Sequence, residues 1–398
     1  MIVTAGQQTR EMLLLEPWLT NVEAETFPKP WVKWSYQPAR PEDIPAAMMR
    51  AYSIAVQPPQ GPVFLSLPLD DWDKPSSGPP SLRSVATRIA ADPTRLRAFA
   101  DKIAGAQSPL LVYGAAVDRS GGWHAGIELA EKLRAPVWCA PACDRTPFPE
   151  DHPCFQGNLP FAIGPLCERL RGHDLVLVVG APVFSYYPHV PGDYIPADTA
   201  LLHITDDPNE SARAPVGDSL LADAGLALAA LVDLVDPRSA PLPTNGRVQP
   251  AEISGESSPL TPNELWSVLA QVRPPDAVLF EETPSNRREL HQWWPINTPR
   301  TFYTASSGGL GWAVPAAVGF ALGDRTIGND RHIVTAVGDG SFQFSFQGLW
   351  SAVQHELPVV FVVPRNGEYA ILRAFAEAQD LPGVPGLTLP GLDIVSLA

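Results

Sequence analysis

Late in the sequence two near-continuous apolar runs, Ile333 to Val337 and Val359 to Val363, each lead into a short turn that carries an oxygen ligand. Runs of this length and β-branched content read as strands buried on both faces, the pattern of a parallel sheet. The first leads into Gly338-Asp339-Gly340-Ser341 and the second into Asn366-Gly367. A chain leaving a strand through Gly-Asp-Gly brings backbone N–H groups close to a phosphate, and a helix over Ser341 to Trp350 would add its N-terminus. Asp339 supplies one hard oxygen, and Asn366, 27 positions on, supplies a second from the tip of the neighbouring strand. Mg²⁺ prefers such a site, with a few protein oxygens and the rest from phosphate and water. Gly-Asp-Gly alone is an ordinary strand-to-loop turn; the asparagine at this separation favours the cation site.

This pair, together with Ser307-Gly308-Gly309-Leu310-Gly311-Trp312-Ala313-Val314-Pro315-Ala316-Ala317-Val318-Gly319, resembles the signature of the thiamine diphosphate-dependent enzymes. Within that family the chain is most similar to the benzoylformate decarboxylases, through Ile2 to Arg10, Val32 to Tyr36, Gln60 to Val63, Asp70 to Lys74 and Gly180 to Phe184. The resemblance implies an α/β fold of several parallel-sheet domains that bind thiamine diphosphate, the first and third of them incomplete. It implies a thiamine diphosphate- and Mg²⁺-dependent carboxy-lyase that converts an aromatic 2-oxo acid, benzoylformate, to benzaldehyde and CO₂, as a homodimer or homotetramer when complete. On the same ground Asp339, Asn366 and the backbone carbonyl of Glu368 are expected to hold Mg²⁺. Gly338, Gly340, Ser341 and Tyr369 are expected at the cofactor, with Gly340 and Ser341 at its diphosphate. Gly308 is expected to accept from the aminopyrimidine through its carbonyl. Leu310 should be the apolar wedge that holds the two rings folded, and Phe375 an apolar wall of the catalytic pocket.

Several positions depart from that pattern. Thr261 stands where an active-site histidine is usual near the start of the third domain, and a threonine does not shuttle protons near neutral pH. Thr304 replaces an aromatic wall, Pro364-Arg365-Asn366 replaces paired asparagines, and Pro284 stands among residues that usually offer hydroxyls. Likeness at the two ends is to the interior of domains, so the sequence reads as a fragment. The glutamate that activates the aminopyrimidine in the family has no counterpart in it, and the chain is expected to be inactive alone. Two alternatives stand beside the lyase: an acetolactate synthase-like carboligase, and a noncatalytic remnant that binds cofactor or docks onto a complete subunit.

Composition narrows the classes further. Hydrophobic residues at 45% and charged residues at 18% describe a globular chain. A net charge of −15 offers no basic field to a nucleic acid or an anionic membrane. Without a signal-peptide core or an apolar run of spanning length, a cytoplasmic location is expected. Cys139, Cys143 and Cys154 beside His152 fit no zinc spacing and read as buried free thiols. His291 reads as a surface or structural histidine.

Strand-like runs at Val63 to Leu67, Leu110 to Tyr113, Val137 to Ala140, Leu175 to Val179, Leu201 to Thr205 and Ala277 to Phe280 alternate with helical stretches, and proline-rich segments separate three expected domains: 1–80, a remnant of the pyrimidine-binding domain; 81–240, a central α/β domain; and 258–398, the diphosphate and Mg²⁺ domain. The central domain contains no Gly-x-Gly-x-x-Gly, so it is expected to be structural rather than a dinucleotide site.

Overall fold

The computed structural model describes residues 1–250, 252–253 and 258–398. Its contacts divide the chain into two units, Met1–Ile89 and Ala90–Ala398.

The first unit holds a parallel sheet of β1 (Ile2–Gln7), β2 (Trp34–Tyr36) and β3 (Val63–Pro68) in the order β1-β3-β2. β3 is central and almost wholly buried, as its apolar Val-Phe-Leu sequence requires. Helix Ile44–Val56 repeats alanine every four residues, which brings Ala47, Ala51 and Ala55 onto one face against Val63 and Leu65. Beyond the C-terminal ends of these strands Arg10 grips Asp71 with two hydrogen bonds of 2.6 and 2.8 Å, a forked pairing that joins the segments following β1 and β3.

The second unit contains two parallel sheets. The six-stranded one comprises β4 (Pro109–Tyr113), β5 (Val137–Cys139), β6 (Phe155–Asn158), β7 (Leu175–Val179), β8 (Ala200–Thr205) and β9 (Asp218–Leu221), ordered β6-β5-β4-β7-β8-β9. Every residue of β4 and β7 is buried, because helices cover both faces. Leu111, Tyr113, Leu175, Leu177 and Val179 enter one core, and the alternate residues Leu110, Val112, Val176 and Val178 enter the other. The strand order reverses between β4 and β7. There the backbones touch: Gly114 N–H donates to the Val179 carbonyl at 2.9 Å, and a Cβ on Gly114 would lie 2.3 Å from the Gly180 oxygen.

The four-stranded sheet comprises β10 (Val278–Glu282), β11 (Phe302–Thr304), β12 (Ile333–Val337) and β13 (Val359–Val362), ordered β11-β10-β12-β13. Helix Ala313–Thr326 links β11 to β12. The expected helix over Ser341 to Trp350 is not continuous: helix Asp339–Phe342 ends after four residues, turns follow, and Gly348–Gln354 begins anew. The hydrogen bonds between them are of the tighter i to i−3 kind, Phe344 to Ser341, Ser345 to Phe342 and Gly348 to Ser345. Glycine and serine at 340, 341, 345 and 348 give an α-helix little to propagate on.

The two sheets of this unit are stitched side by side. Glu150 N–H donates to the Ile296 carbonyl at 3.0 Å while its carboxylate accepts from Ile296 N–H at 2.8 Å, and Thr304 N–H donates to the Asp144 carbonyl at 3.0 Å. All four cysteines are free, and burial pushes the Cys154 thiol up to about 11, in keeping with inert core thiols. Among the described residues no helix is long and apolar enough to cross a membrane.

Candidate active site

Where strand order reverses in the four-stranded sheet, between β10 and β12, the C-terminal ends open into a cavity of about 400 Å³. Open α/β sheets bind ligands at such a crevice, since the two neighbouring chains depart in opposite directions. Each strand contributes the segment that follows it: Glu282 to Arg287 after β10, Thr304 to Leu310 after β11, Gly338 to Ser341 after β12 and Pro364 to Leu372 after β13.

Asp339 is the hub of the β12 side. It is 2% exposed, and its carboxylate accepts from Gly340 N–H at 2.9 Å and from Gly367 N–H at 2.8 Å. The second bond crosses from β12 to the β13 loop and brings Asp339 beside Asn366, Gly367 and Glu368. Two carboxylate oxygens offer about four lone-pair directions, so these two bonds leave acceptor capacity. The β13 loop is itself braced, with Tyr369 N–H donating to the Leu387 carbonyl and Leu389 N–H to the Gly367 carbonyl. The Asn366 side-chain oxygen accepts from Glu368 N–H at 3.1 Å, and the Glu368 carboxylate is taken by Arg373. Asp339 and Asn366 therefore meet at one end of one sheet, as their spacing predicts. No group of three His, Cys, Asp or Glu side chains fit to hold a metal occurs among the described residues. An oxygen site built from one carboxylate, one amide and one carbonyl does not need such a group.

The glycines of the lining fall into two kinds. A Cβ on Gly340 would come 2.6 Å from the Tyr369 ring, so packing of that ring demands glycine. A Cβ on Gly308 would meet nothing within 4 Å, and one on Gly338 only the Glu282 carbonyl at 3.7 Å and the Ser341 hydroxyl at 4.0 Å. The protein itself does not require glycine at these two positions; a ligand that approaches the backbone closely would. Ser341 is buried in the short helix, and Leu310 is 37% exposed, on the loop ahead of helix Ala313–Thr326 rather than within a helix.

Two expectations are relocated. Phe375 does not itself line the cavity; it stacks on Tyr187, which does, with ring centroids 5.6 Å apart. Thr261 is not among the residues that line the cavity. It caps helix Pro262–Val272, accepting from Glu264 N–H while the Glu264 carboxylate accepts from Thr261 N–H.

Sequence reasoning passed over the acids that end β10. Glu282, 4% exposed, accepts from Gly311 N–H and Ala313 N–H, both at 2.6 Å, and so shapes the Gly308 to Trp312 loop and holds the helix N-terminus. Glu281 is fully buried against Arg287 and Thr304. Their signal was present as Glu281-Glu282-Thr283 directly after Val278-Leu279-Phe280, carboxylates where a buried strand meets its loop. Tyr187 carried no comparable signal. Pro284 and Pro364 line the cavity, yet Thr283 and Ser285 still present hydroxyls beside Pro284.

Comparison with known proteins agrees with this geometry. The central domain of thiamine pyrophosphate enzymes matches residues 96–231, and their C-terminal TPP-binding domain matches residues 284–398. The chain is 41% identical over 403 residues to benzoylformate decarboxylase from Pseudomonas aeruginosa, covering 100% of this chain and 75% of that protein. The crystal structure of benzoylformate decarboxylase from Polynucleobacter necessarius superposes with a TM-score of 0.96 at 52% identity, covering 100% of this chain and 74% of that one. Acetolactate synthase isozyme 3 large subunit from Escherichia coli is more distant, 25% identical over 365 residues, 86% of this chain and 62% of that protein. The chain therefore belongs to the thiamine pyrophosphate enzymes and, within them, to the benzoylformate decarboxylase-like group.

Proposed function

We propose that the β10–β13 cavity holds thiamine diphosphate and Mg²⁺, the cofactors of this family, and that the reaction is non-oxidative decarboxylation of an aromatic 2-oxo acid to an aldehyde and CO₂. The observation that carries the proposal is the bond from Gly367 N–H to Asp339, which gathers the side-chain oxygens of Asp339 and Asn366 and the carbonyl of Glu368 at the strand-order reversal. The donor set fits a small hard cation. The open space over Gly308 and Gly338 fits a ligand lying against the backbone.

On this reading Asp339, Asn366 and the Glu368 carbonyl hold Mg²⁺. Gly338, Gly340 and Ser341 receive the diphosphate at the start of β12's loop, with Tyr369 packed against Gly340. The Gly308 carbonyl accepts from the aminopyrimidine, and Leu310, partly exposed in the lining, supplies the apolar support. Thiamine diphosphate supplies the electron sink for carbon dioxide loss. The chain's own part is to orient and to exclude water: Glu282 fixes the Gly308 to Trp312 loop from behind, and Tyr187 backed by Phe375 adds an aromatic surface. An aromatic 2-oxo acid is favoured over pyruvate coupling by that surface and by 41% against 25% identity to the two kinds of relative.

The same lining supports a second reading, cofactor binding without turnover by this chain alone. The acids that line it are each engaged, Glu282 and Asp339 by backbone N–H groups and Glu368 by Arg373, and no histidine lines it among the described residues. A positioned proton-transfer group is worth about 10²–10⁴-fold in rate.

Calorimetric titration with thiamine diphosphate and Mg²⁺ tests the site. Asp339→Ala should weaken binding by at least about 100-fold, more than second-shell changes at metal sites usually cost, and unaltered binding would dismiss the site. Assays with phenylglyoxylate, pyruvate and branched 2-oxo acids then separate the outcomes. Benzaldehyde supports the lyase, acetolactate from pyruvate moves the assignment to the carboligase, and binding with no product selects the second reading.

A further inference from the structure

One wall of the cavity consists of residues that holding the cofactor does not use. Arg287 begins helix Arg287–Trp293 just after β10 and lines the cavity. Its Nε lies 2.6 Å from Glu281 Oε2 and its Nη2 2.7 Å from Thr304 Oγ1. Glu281 is 0% exposed, and its other oxygen accepts from the Thr283 N–H and hydroxyl. Thr304 in turn donates to Glu281 Oε2 at 3.1 Å. Two of the three guanidinium nitrogens are thus fixed from behind, which sets the plane of the fork. Nη1 has no protein acceptor among the described residues, and the Arg287 side chain is 37% exposed.

We propose that Arg287 is a specificity-determining residue whose Nη1 donates a hydrogen bond to an oxygen on the aryl ring of the 2-oxo acid, so that ring-oxygenated substrates are preferred over apolar ones of the same shape. The inference rests on the aromatic 2-oxo acid reading above. Three arguments set the chemical class. Glu281 already neutralises the cation, so what Arg287 can offer the cavity it lines is an N–H rather than net charge, which suits a neutral oxygen; a second carboxylate would share the cation with Glu281 and be repelled by it. Thr304 both donates and accepts within the triad, so its hydroxyl does not compete for the ring oxygen. Covering Nη1 with an apolar ring strips its water and returns nothing, and sites built to hydrogen-bond a substrate oxygen reject analogues lacking it for that reason.

Mandelates lack the carbonyl at which the reaction starts, so they serve as unreactive probes. The full chain, saturated with thiamine diphosphate and Mg²⁺, would be titrated calorimetrically with 3- and 4-methoxymandelate and with the matching 3- and 4-ethylmandelates, which replace the ether oxygen by CH₂. The methoxy compound should bind about tenfold tighter than its ethyl counterpart at one ring position, the effect of one hydrogen bond to a charged group. Arg287→Met alone would leave Glu281 buried and unpaired, so the test variant is Glu281→Gln with Arg287→Met, checked for folding by thermal denaturation. Its methoxy-to-ethyl ratio should fall to near one, whereas Glu281→Gln alone should keep a preference. No preference in the parent, or a preference that survives loss of Arg287, overturns the inference; the second is also the outcome if Arg287 serves the acid's own carboxylate. Phenylglyoxylate displacing the bound probe upholds the aromatic reading independently. Failure of phenylglyoxylate and every mandelate to bind, with thiamine diphosphate still bound, would remove that reading and this inference together.

Discussion

Two sheets in this protein reverse strand order at their centres, β4 against β7 and β10 against β12, and they use the crevice in opposite ways. In both a strand at the reversal runs directly into glycine, Gly114 after β4 and Gly338 after β12. At the first the backbones of Gly114 and Gly180 press together and fill the crevice; at the second the glycine faces a cavity ringed by carboxylates. Topology creates the opportunity for a site, and what happens at the first residue beyond the strand decides whether it is used. The six-stranded sheet sets Gly114 against Gly180, which closes the crevice that its strand order creates.

The sharpest way to break this comparison is to add one methyl group at each glycine. Gly114→Ala would place Cβ 2.3 Å from both the Gly180 oxygen and the Ala181 Cβ, where backbone must move. The residue's φ of −113° is ordinary, so the cost is steric, and we expect about 3 kcal/mol or more of lost stability in denaturant unfolding. Gly338→Ala meets nothing closer than 3.7 Å and should change stability by no more than about 0.5 kcal/mol. Equal losses at the two positions would show that the second crevice is also held by packing.

The next effect concerns what replaces packing at the open end. The Glu282 carboxylate accepts from both Gly311 N–H and Ala313 N–H, so Glu282→Ala takes the acceptor from two donors next to a buried helix start. Urea unfolding should show a loss of about 2–3 kcal/mol, the scale for orphaned buried donors. A loss below about 0.5 kcal/mol would mean that the Gly308 to Trp312 loop holds itself and that the carboxylate is there for the ligand alone.

A histidine on each side, one fully buried and one partly, sharpens the contrast in sign. His203 of β8 is fully buried, and burial lowers it below its ordinary value against the opposing pull of the Ala181 carbonyl. Its contribution is complete above the ordinary value of about 6.5 and is lost as pH falls through the folded value. For His291 burial also disfavours the cation, but the charge and hydrogen bond of Glu150, 2.9 Å away, with help from Glu281 and against Arg287, outweigh it and raise the group. Its contribution is complete below about 6.5 and is lost as pH rises through the folded value. Melting curves between about pH 5.5 and 8 should therefore show His291→Gln most damaging at the acid end and His203→Gln most damaging at the alkaline end. Parallel slopes would remove the Glu150–His291 ion pair as a seam between the sheets.

Much of this architecture was legible because it is apolar. Leu175 to Val179 and Ile333 to Val337 occupy their expected residues, and the runs at 63, 110, 137, 201, 277 and 359 became strands within one or two residues of expectation. Short or polar strands were not seen: Phe155–Asn158 and Asp218–Leu221 lie at sheet edges, where one side needs no apolar cover, and Trp34–Tyr36 is three residues long. The meeting of Asp339 with Asn366 was legible from glycine and asparagine placed after strands. Glu281, Glu282 and Arg287 were not, because a charged residue at a strand end usually signals solvent, and only the fold shows these acids turned inward onto backbone donors. Tyr187 comes from a loop 95 positions before Glu282, the next lining residue, a distance no local pattern spans.

The smallest expected effect separates resemblance from position. Thr261 stands where the family pattern leads one to expect a catalytic histidine, yet here it is the exposed N-cap of helix Pro262–Val272 and lines no part of the cavity. Its hydroxyl accepts from Glu264 N–H at 3.3 Å, and the Glu264 carboxylate returns to Thr261 N–H at 2.6 Å, so the pair satisfies two donors at a helix start. Pro262 at the first helical position has no N–H to satisfy, which leaves the cap to this pair. Thr261→Ala should cost about 1 kcal/mol in chemical denaturation, the usual worth of an N-cap side chain. Thr261→Ser, which keeps the acceptor, should be nearly neutral. Neither change should move thiamine diphosphate affinity, because neither Thr261 nor Glu264 lines the cavity. A Thr261→Ala variant with parent-like stability and weakened cofactor binding would reverse that assignment and return this position to the site.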